Sequence, residues 1–106
     1  MRSIWLFDVV DLATWRGEAQ HALEVLRECD GFESGQVLRN VDEHGTVAVV
    51  TTWRDAGSFR RGLGSTRSKM EVWPFLATMR DQPSAFETLD EVSIDEATEF
   101  ETSVHG

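Results

Sequence analysis

The chain has 106 residues, of which 41% are hydrophobic and 27% charged, a balance typical of one globular domain rather than of a disordered segment. Its formal net charge of -9 argues against nucleic acid as a partner, because binding to phosphates depends on clustered lysines and arginines. No apolar run approaches the ~18 residues that cross a bilayer, and residues 1–3 lead into a strand without a signal-peptide pattern, so we expect a cytoplasmic protein without a membrane contact.

The first third of the chain predicts a strand followed by an amphipathic helix. Residues 3–10 read SIWLFDVV, and their alternation predicts strand 1 with apolar side chains on both faces. Apolar residues then recur at helical spacing and predict helix 1. They are Trp15, Ala19, Ala22, Leu23 and Leu26. Gly31 is the predicted left-handed residue after this helix, and Cys29 is the only cysteine, which excludes an internal disulfide.

The middle of the chain predicts a hairpin. Residues 34–41 and 46–53 alternate as strands 2 and 3. Gly45 suits the turn between them, because glycine adopts positive φ without a steric penalty. The run VAVV in strand 3 implies burial on two faces.

A broken helical segment and a weak strand follow. Asp55 and Ser65 are predicted N-caps of two helical pieces that Gly64 separates. Pro74 should kink or restart the second piece, because it removes a donor and crowds the preceding turn. Residues 85–94 predict strand 4 with a bulge.

The element order β-α-β-β-α-β predicts an α+β, ferredoxin-like domain with a four-stranded antiparallel sheet over residues 1–94. Both helical segments then lie on one side of the sheet and leave the other face bare. Soluble monomers rarely expose such an apolar patch, so we expect a homodimer through the sheet face, a barrel-like arrangement with pockets beside the interface. Residues 95–106 predict a flexible acidic tail, in which Phe100 and Val104 leave room for partner packing.

Several short motifs between residues 31 and 59 follow one another at a defined spacing. They run from Gly31-Phe32 through VLRNV (37–41) and Gly45 to TVAVVTTW (46–53) and Phe59. This combination resembles the antibiotic biosynthesis monooxygenase family. The resemblance implies a dimeric α+β barrel fold. It also implies one of two known activities: oxygenation of polycyclic phenols without flavin or metal, or the binding and degradation of haem.

The resemblance and the residues together give three candidate catalytic residues. Trp53 matches the Trp that ends strand 3 in quinone-forming members, so its indole N–H is a candidate donor to a substrate oxygen; a core Trp is the alternative. Arg60 matches an Arg that could stabilise charge; a solvated helix Arg is the alternative. Asp8 is a polar group at a potentially buried position. With a raised pKa it could act as a base, and a strand-end Asp that reaches water is the alternative.

Four further residues are candidates for binding a flat, apolar aromatic molecule: Phe59, Trp73, Met70 and Leu6. Phe59 stands where a quinone-forming member has a Tyr. The chain contains no Tyr, so a phenolic donor is replaced or absent. Trp73 and Met70 stand at helical spacing, and core positions are the alternative for both.

Haem binding is the less favoured implication. Val72 and Gly62 stand where haem-degrading members place an iron-ligating His and a ring-distorting Trp, and His21, His44 and His105 share no metal-binding spacing. We therefore expect no metal and no cofactor. The leading hypothesis is a monooxygenase that deprotonates an aromatic phenolic or quinone-like molecule, whose anion then reduces dioxygen. A non-catalytic dimer that binds an apolar small molecule is the alternative.

Overall fold

The computed structural model describes residues 1–94, so the predicted acidic tail, with Phe100, Val104 and His105, lies outside the described residues. The elements follow in the order β1 (Arg2–Asp8), α1 (Leu12–Leu26), β2 (Phe32–Arg39), β3 (Thr46–Trp53), α2 (Ala56–Leu63), α3 (Thr66–Glu71), α4 (Trp73–Leu76) and β4 (Ala85–Phe86). None of the helices in these 94 residues is long and apolar enough to span a membrane.

The strands form one antiparallel sheet in the order β2-β3-β1-β4. This is the predicted ferredoxin-like α+β arrangement, and that prediction is confirmed. At the centre of the sheet, Ala48 of β3 is flanked by Leu6 of β1 and Leu38 of β2.

The last strand is shorter than predicted. Strand 4 was expected over residues 85–94, but only Ala85 and Phe86 pair with β1, opposite Ser3 and Arg2. Because the pairing is antiparallel, residues after Phe86 pass beyond the first residue of β1 and find no ladder to join. On the other side of this pairing, loop backbone completes the β1 edge: Ile4 N–H donates to the Ser84 carbonyl at 2.7 Å and Arg80 N–H to the Leu6 carbonyl at 2.7 Å.

Local signals in the sequence explain where the helices begin. Side chains of Asp11, Asp55 and Ser65 accept backbone N–H bonds and cap α1, α2 and α3. Pro74 lies in the first turn of α4, where its missing donor is tolerated. Gly31 adopts a φ of 90°, which confirms the predicted left-handed residue.

The core lies between the helices and one face of the sheet. Alternate residues of β1 and β3 point into it, together with the apolar stripe of α1 and two residues from the end of the helical segment. Its largest members are Trp5, Phe7, Trp15, Val25, Leu26, Val47, Val49, Trp53, Val72 and Phe75. The opposite face stays open, and Ile4 and Leu38 remain 36% and 44% exposed there.

Candidate functional site

Trp53 is fully packed on the helix side of the sheet. Its exposed fraction is 1%, and its ring meets those of Phe32 and Phe59 edge-on at centroid distances of 5.3 Å and 5.8 Å. The indole Nε1 donates to Thr51 Oγ1 at 2.8 Å, and Thr51 is in turn bonded to the buried hydroxyl of Ser3. The indole N–H, which the family resemblance makes a candidate donor to a substrate oxygen, is therefore already hydrogen-bonded inside the core. The structure shows the alternative, a core Trp.

Asp8 lies far from Trp53. The carboxylate binds Arg80 through two hydrogen bonds, Nη2 to Oδ1 at 2.6 Å and Nε to Oδ2 at 3.0 Å. The Arg80 hydrogen bonds hold the pKa of Asp8 below its usual value. The structure shows the alternative of a strand-end Asp that reaches water, because Asp8 ends β1 in solvent, where Arg80 can reach it.

Asp8 and Trp53 also point to different sides of the sheet. Asp8 pairs with Thr46 at the start of β3, whereas Trp53 ends that strand. Seven residues of strand correspond to roughly 23 Å. Asp8 shares the open face with Leu6, whereas Trp53 belongs to the buried face. The structure does not bring these candidates into one site.

The other predicted residues are divided between the helical segment and the open face of the sheet, where the half-buried Leu6 lies. Arg60 is exposed on α2, beside the half-buried Phe59. Met70 and Trp73 are 70% and 49% exposed, so the core alternative for both was wrong. Trp73 Nε1 donates to the Leu63 carbonyl at 2.8 Å. The helical segment breaks at Val72 and restarts ahead of Pro74, and this break turns Val72 and Phe75 inward instead.

A groove runs along the helix layer between α1 on one side and α3 and α4 on the other. Its volume is about 630 Å³, which falls in the range of small-molecule sites. Ala13 and Gly17 leave room on α1, and Phe75 and Pro74 provide an apolar surface opposite. Under the groove, the Phe75 ring stacks on Phe7, with centroids 4.8 Å apart.

A histidine–carboxylate pair lies in this groove. His21 Nε2 is 2.8 Å from Glu71 Oε1, and Arg67 Nε donates to Glu71 Oε2 at 3.0 Å. The hydrogen bond from His21, followed by the one from Arg67, lowers the pKa of Glu71. Glu71 is therefore an ionised acceptor at neutral pH, so Nε2 carries the proton that His21 donates to it. In the neutral ring this leaves Nδ1 with a free lone pair.

Sequence reasoning missed this pair. His21 and Glu71 are 50 residues apart, and no sequence pattern in either segment predicts that α1 and α3 lie side by side. The signal that was present is local, because Arg67 and Glu71 are an i, i+4 ion pair on one helix face. With the ferredoxin-like fold assumed, a polar partner for the Arg67–Glu71 pair would be sought on the polar face of α1, where His21 lies.

The structure offers little to a haem or a metal ion. Val72 is completely buried and its side chain has no donor atom for iron. A Cβ added at Gly62 would lie 2.7 Å from the Trp53 ring, so a second Trp does not fit at that position in this packing. Within residues 1–94, no group of three or more His, Cys, Asp or Glu side chains is arranged to hold a metal ion.

Comparison with known families decides the relationship. Residues 11–69, more than half of the chain, match the family described as antibiotic biosynthesis monooxygenase. The chain belongs to this family. Among curated proteins, none matches the chain.

Solved structures show the same fold. A mutant of SnoaB, a cofactor-independent oxygenase from Streptomyces nogalater, is 20% identical with a TM-score of 0.67, covering 85% of this chain and 96% of that chain. Rv0793 from Mycobacterium tuberculosis is 18% identical with a TM-score of 0.66, covering 87% and 97%. A conserved protein from Methanosarcina mazei Go1 is 16% identical with a TM-score of 0.64, covering 79% and 84%. At these identities the likeness establishes the antibiotic biosynthesis monooxygenase fold.

Proposed function

We propose that this member of the antibiotic biosynthesis monooxygenase family is a cofactor-independent monooxygenase that converts a flat phenolic molecule to a quinone. The observation that carries the proposal is the groove between α1 and α3 and α4, where the apolar surface of Phe75 and Pro74 lies beside the ionisable pair of His21 and Glu71. Membership in the family and the fold shared with a cofactor-independent oxygenase support the same activity.

The reaction needs a proton acceptor and an electron-rich anion. Removal of a proton from the phenolic substrate gives an anion that can transfer electrons to dioxygen, the oxidant of the reaction. With an anthrone, two C–H bonds at one carbon break, the O–O bond breaks, and a C=O bond forms. One oxygen atom stays in the quinone and the other leaves as water, so one substrate and one dioxygen give one quinone and one water.

The groove gives a direct test. Gly17 lies on the groove and a Cβ added there meets no atom within 4 Å, so Gly17→Phe should fill the groove without disturbing the core. Oxygen uptake would be measured with anthrone and naphthols, without added flavin or metal. We expect uptake by the native chain and by Gly17→Ala, and at least a tenfold loss with Gly17→Phe. Absence of uptake by the native chain across the panel, or full uptake by Gly17→Phe, would refute the proposal.

A non-catalytic binding protein is the second candidate. It is favoured by the commitment of the Trp53 N–H to Thr51 and by the absence of Tyr. This alternative predicts that phenolic ligands stabilise the chain without being oxidised. A ligand at 100 times its dissociation constant adds roughly 2.7 kcal/mol to the free energy of unfolding, which thermal unfolding can detect.

The homodimer is part of the same proposal. The open face of the sheet carries Leu6, Ala48 and Leu38 in one row and Ile4 and Val50 beside Gln36 in the next. A sheet face with these apolar side chains is suited to an isologous contact with a second copy. A cytoplasmic location stays a prediction.

A further inference from the structure

We propose that His21 is the catalytic base of the groove and that Glu71 is its positioning residue. The inference rests on the proposed function and deepens it. The phenolic hydroxyl would face Nδ1 of His21, and the flat ring system would lie on Phe75.

The hydrogen bond between His21 and Glu71 determines the tautomer of the imidazole. Nε2 of His21 lies 2.8 Å from a Glu71 oxygen, and an ionised carboxylate accepts but does not donate. The neutral imidazole therefore holds its proton on Nε2 and presents Nδ1 as the acceptor. When Nδ1 takes the phenolic proton, the imidazolium that forms is stabilised by Glu71, as in other histidine–carboxylate pairs that act as bases.

The pair of His21 and Glu71 is held in place by Arg67 and stays accessible from the groove. Arg67 binds the second oxygen of Glu71 at 3.0 Å, so the carboxylate is fixed from both sides and holds the imidazole between α1 and α3. The side chain of His21 is 52% exposed, so Nδ1 can be reached by a ligand in the groove. A base that is oriented yet accessible is what proton abstraction requires.

The charged residues near His21 come from α1 and α3. Glu18 of α1 also lines the groove, Glu71 and Arg67 approach from α3, and α4 contributes no charged residue. Among residues 1–94, no lysine or arginine lines the groove, and Arg67, beside it on α3, is engaged by Glu71.

The groove is large enough to hold a ring system. A groove of about 630 Å³ is of the volume that fits a drug-sized ligand. Ala13 and Gly17 present almost no side chain opposite Phe75, so a flat ring system can lie between α1 and α4.

The experiment compares His21→Gln and Glu71→Gln with Glu24→Gln, which removes a charge from α1 outside the groove. Oxygen uptake with anthrone and naphthols would be measured as kcat and KM between about pH 5 and 9. We expect His21→Gln to lower kcat by roughly 100-fold or more, with little change in KM, and to abolish the fall in rate at acidic pH. Glu71→Gln should lower kcat less and keep that fall, and Glu24→Gln should match the native chain.

A second measurement does not depend on turnover. A hydroxyanthraquinone dye, whose anion absorbs at longer wavelength than its neutral form, would be titrated with each variant. We expect the native chain and Glu24→Gln to bind it as the anion at a pH where the free dye is neutral, and His21→Gln to bind it as the neutral form.

The outcomes separate the two proposals. Oxygen uptake with dye ionisation that is unchanged in His21→Gln would overturn the base and leave the oxygenase in place. His21-dependent ionisation without any oxygen uptake would support the base and overturn the oxygenase. Failure of every variant to bind the dye in the groove would overturn the inference. Loss of kcat in His21→Gln with native dye ionisation would contradict it as well, because a structural role alone would then account for the loss.

Discussion

Gly62 of α2 packs directly against the indole ring of Trp53. A Cβ at this position would lie 2.7 Å from one ring carbon and 2.9 Å from the next, closer than packed atoms approach. Since Trp53 is held by Phe32, Phe59 and Thr51, it has no room to yield. The absence of a side chain at Gly62 is thus a condition for the buried position of Trp53.

Two glycine substitutions should therefore have opposite effects on stability. Gly62→Ala overpacks the core and should lower the free energy of unfolding by roughly 1–3 kcal/mol. Gly17→Ala, on the exposed side of α1 with open space around it, should raise it by up to about 1 kcal/mol, because alanine favours the helix. Urea unfolding measures both. Equal effects of the two substitutions would contradict the close packing described for Gly62.

Two tryptophans should differ in the same way. Trp53→Ala removes a ring that is 1% exposed and should cost roughly 3–5 kcal/mol of stability. Trp73→Ala removes a ring that is 49% exposed and one hydrogen bond to Leu63, so it should cost about 1 kcal/mol or less. Chemical unfolding of each variant measures the difference. A small cost for Trp53→Ala would instead indicate that this ring lines an open pocket.

The carboxyl of Asp8 should titrate below its ordinary value of 3.8, because the Arg80 hydrogen bonds stabilise the ionised form. With the folded-state pKa below the unfolded one, the pair stabilises the fold above the unfolded pKa, and this contribution is lost as the pH falls through the folded-state pKa. NMR titration of the Asp8 carboxyl in the native chain and in Arg80→Gln measures the effect. Identical titration curves in the two proteins would show that the pair does not form in solution.

A single charge should dissociate the homodimer. Ala48 lies between Leu6 and Leu38 on the open face, so Ala48→Glu would place a carboxylate in the middle of the apolar contact, where its desolvation is unfavourable. Val41→Asp is the matched control, because Val41 is 85% exposed in the hairpin connection. Analytical ultracentrifugation should show a dimer for the native chain and the control and a monomer for Ala48→Glu. A monomeric native chain at micromolar concentration would exclude the homodimer.

Much of the fold could be predicted because its signals are local. Strand alternation, the caps Asp55 and Ser65 and the break at Gly64 all act within a few residues. The two caps, the break and strand 3 lie where the sequence predicts them, whereas strands 1 and 2 are displaced by one or two residues, to Arg2–Asp8 and Phe32–Arg39. The candidate site could not be predicted to the same degree. The lowered pKa of Asp8 depends on Arg80, which lies 72 residues away and whose position no local pattern reveals.

The orientation of the helical segment posed a similar difficulty. Met70 and Trp73 share the spacing of a core stripe, but the restart of the helix at Pro74 rotates the chain and puts Val72 and Phe75 in the interior. The groove that results is bounded by residues from both sides of that break. Its position follows from how α1 and α3 pack, which the periodicity of either helix alone does not specify.

The short β4 strand has a consequence for how copies of the chain can associate. Beside it, the β1 edge is occupied by the backbone of Ser84 and Arg80, so this part of the described chain presents no row of free donors and acceptors for another strand. Edge-to-edge growth, the route by which sheets form fibres, is therefore blocked along this border. In the proposed homodimer, contact through the sheet face would end with two copies, because each apolar surface would be covered by its counterpart. The loop before β4 thus opposes open-ended aggregation along this border.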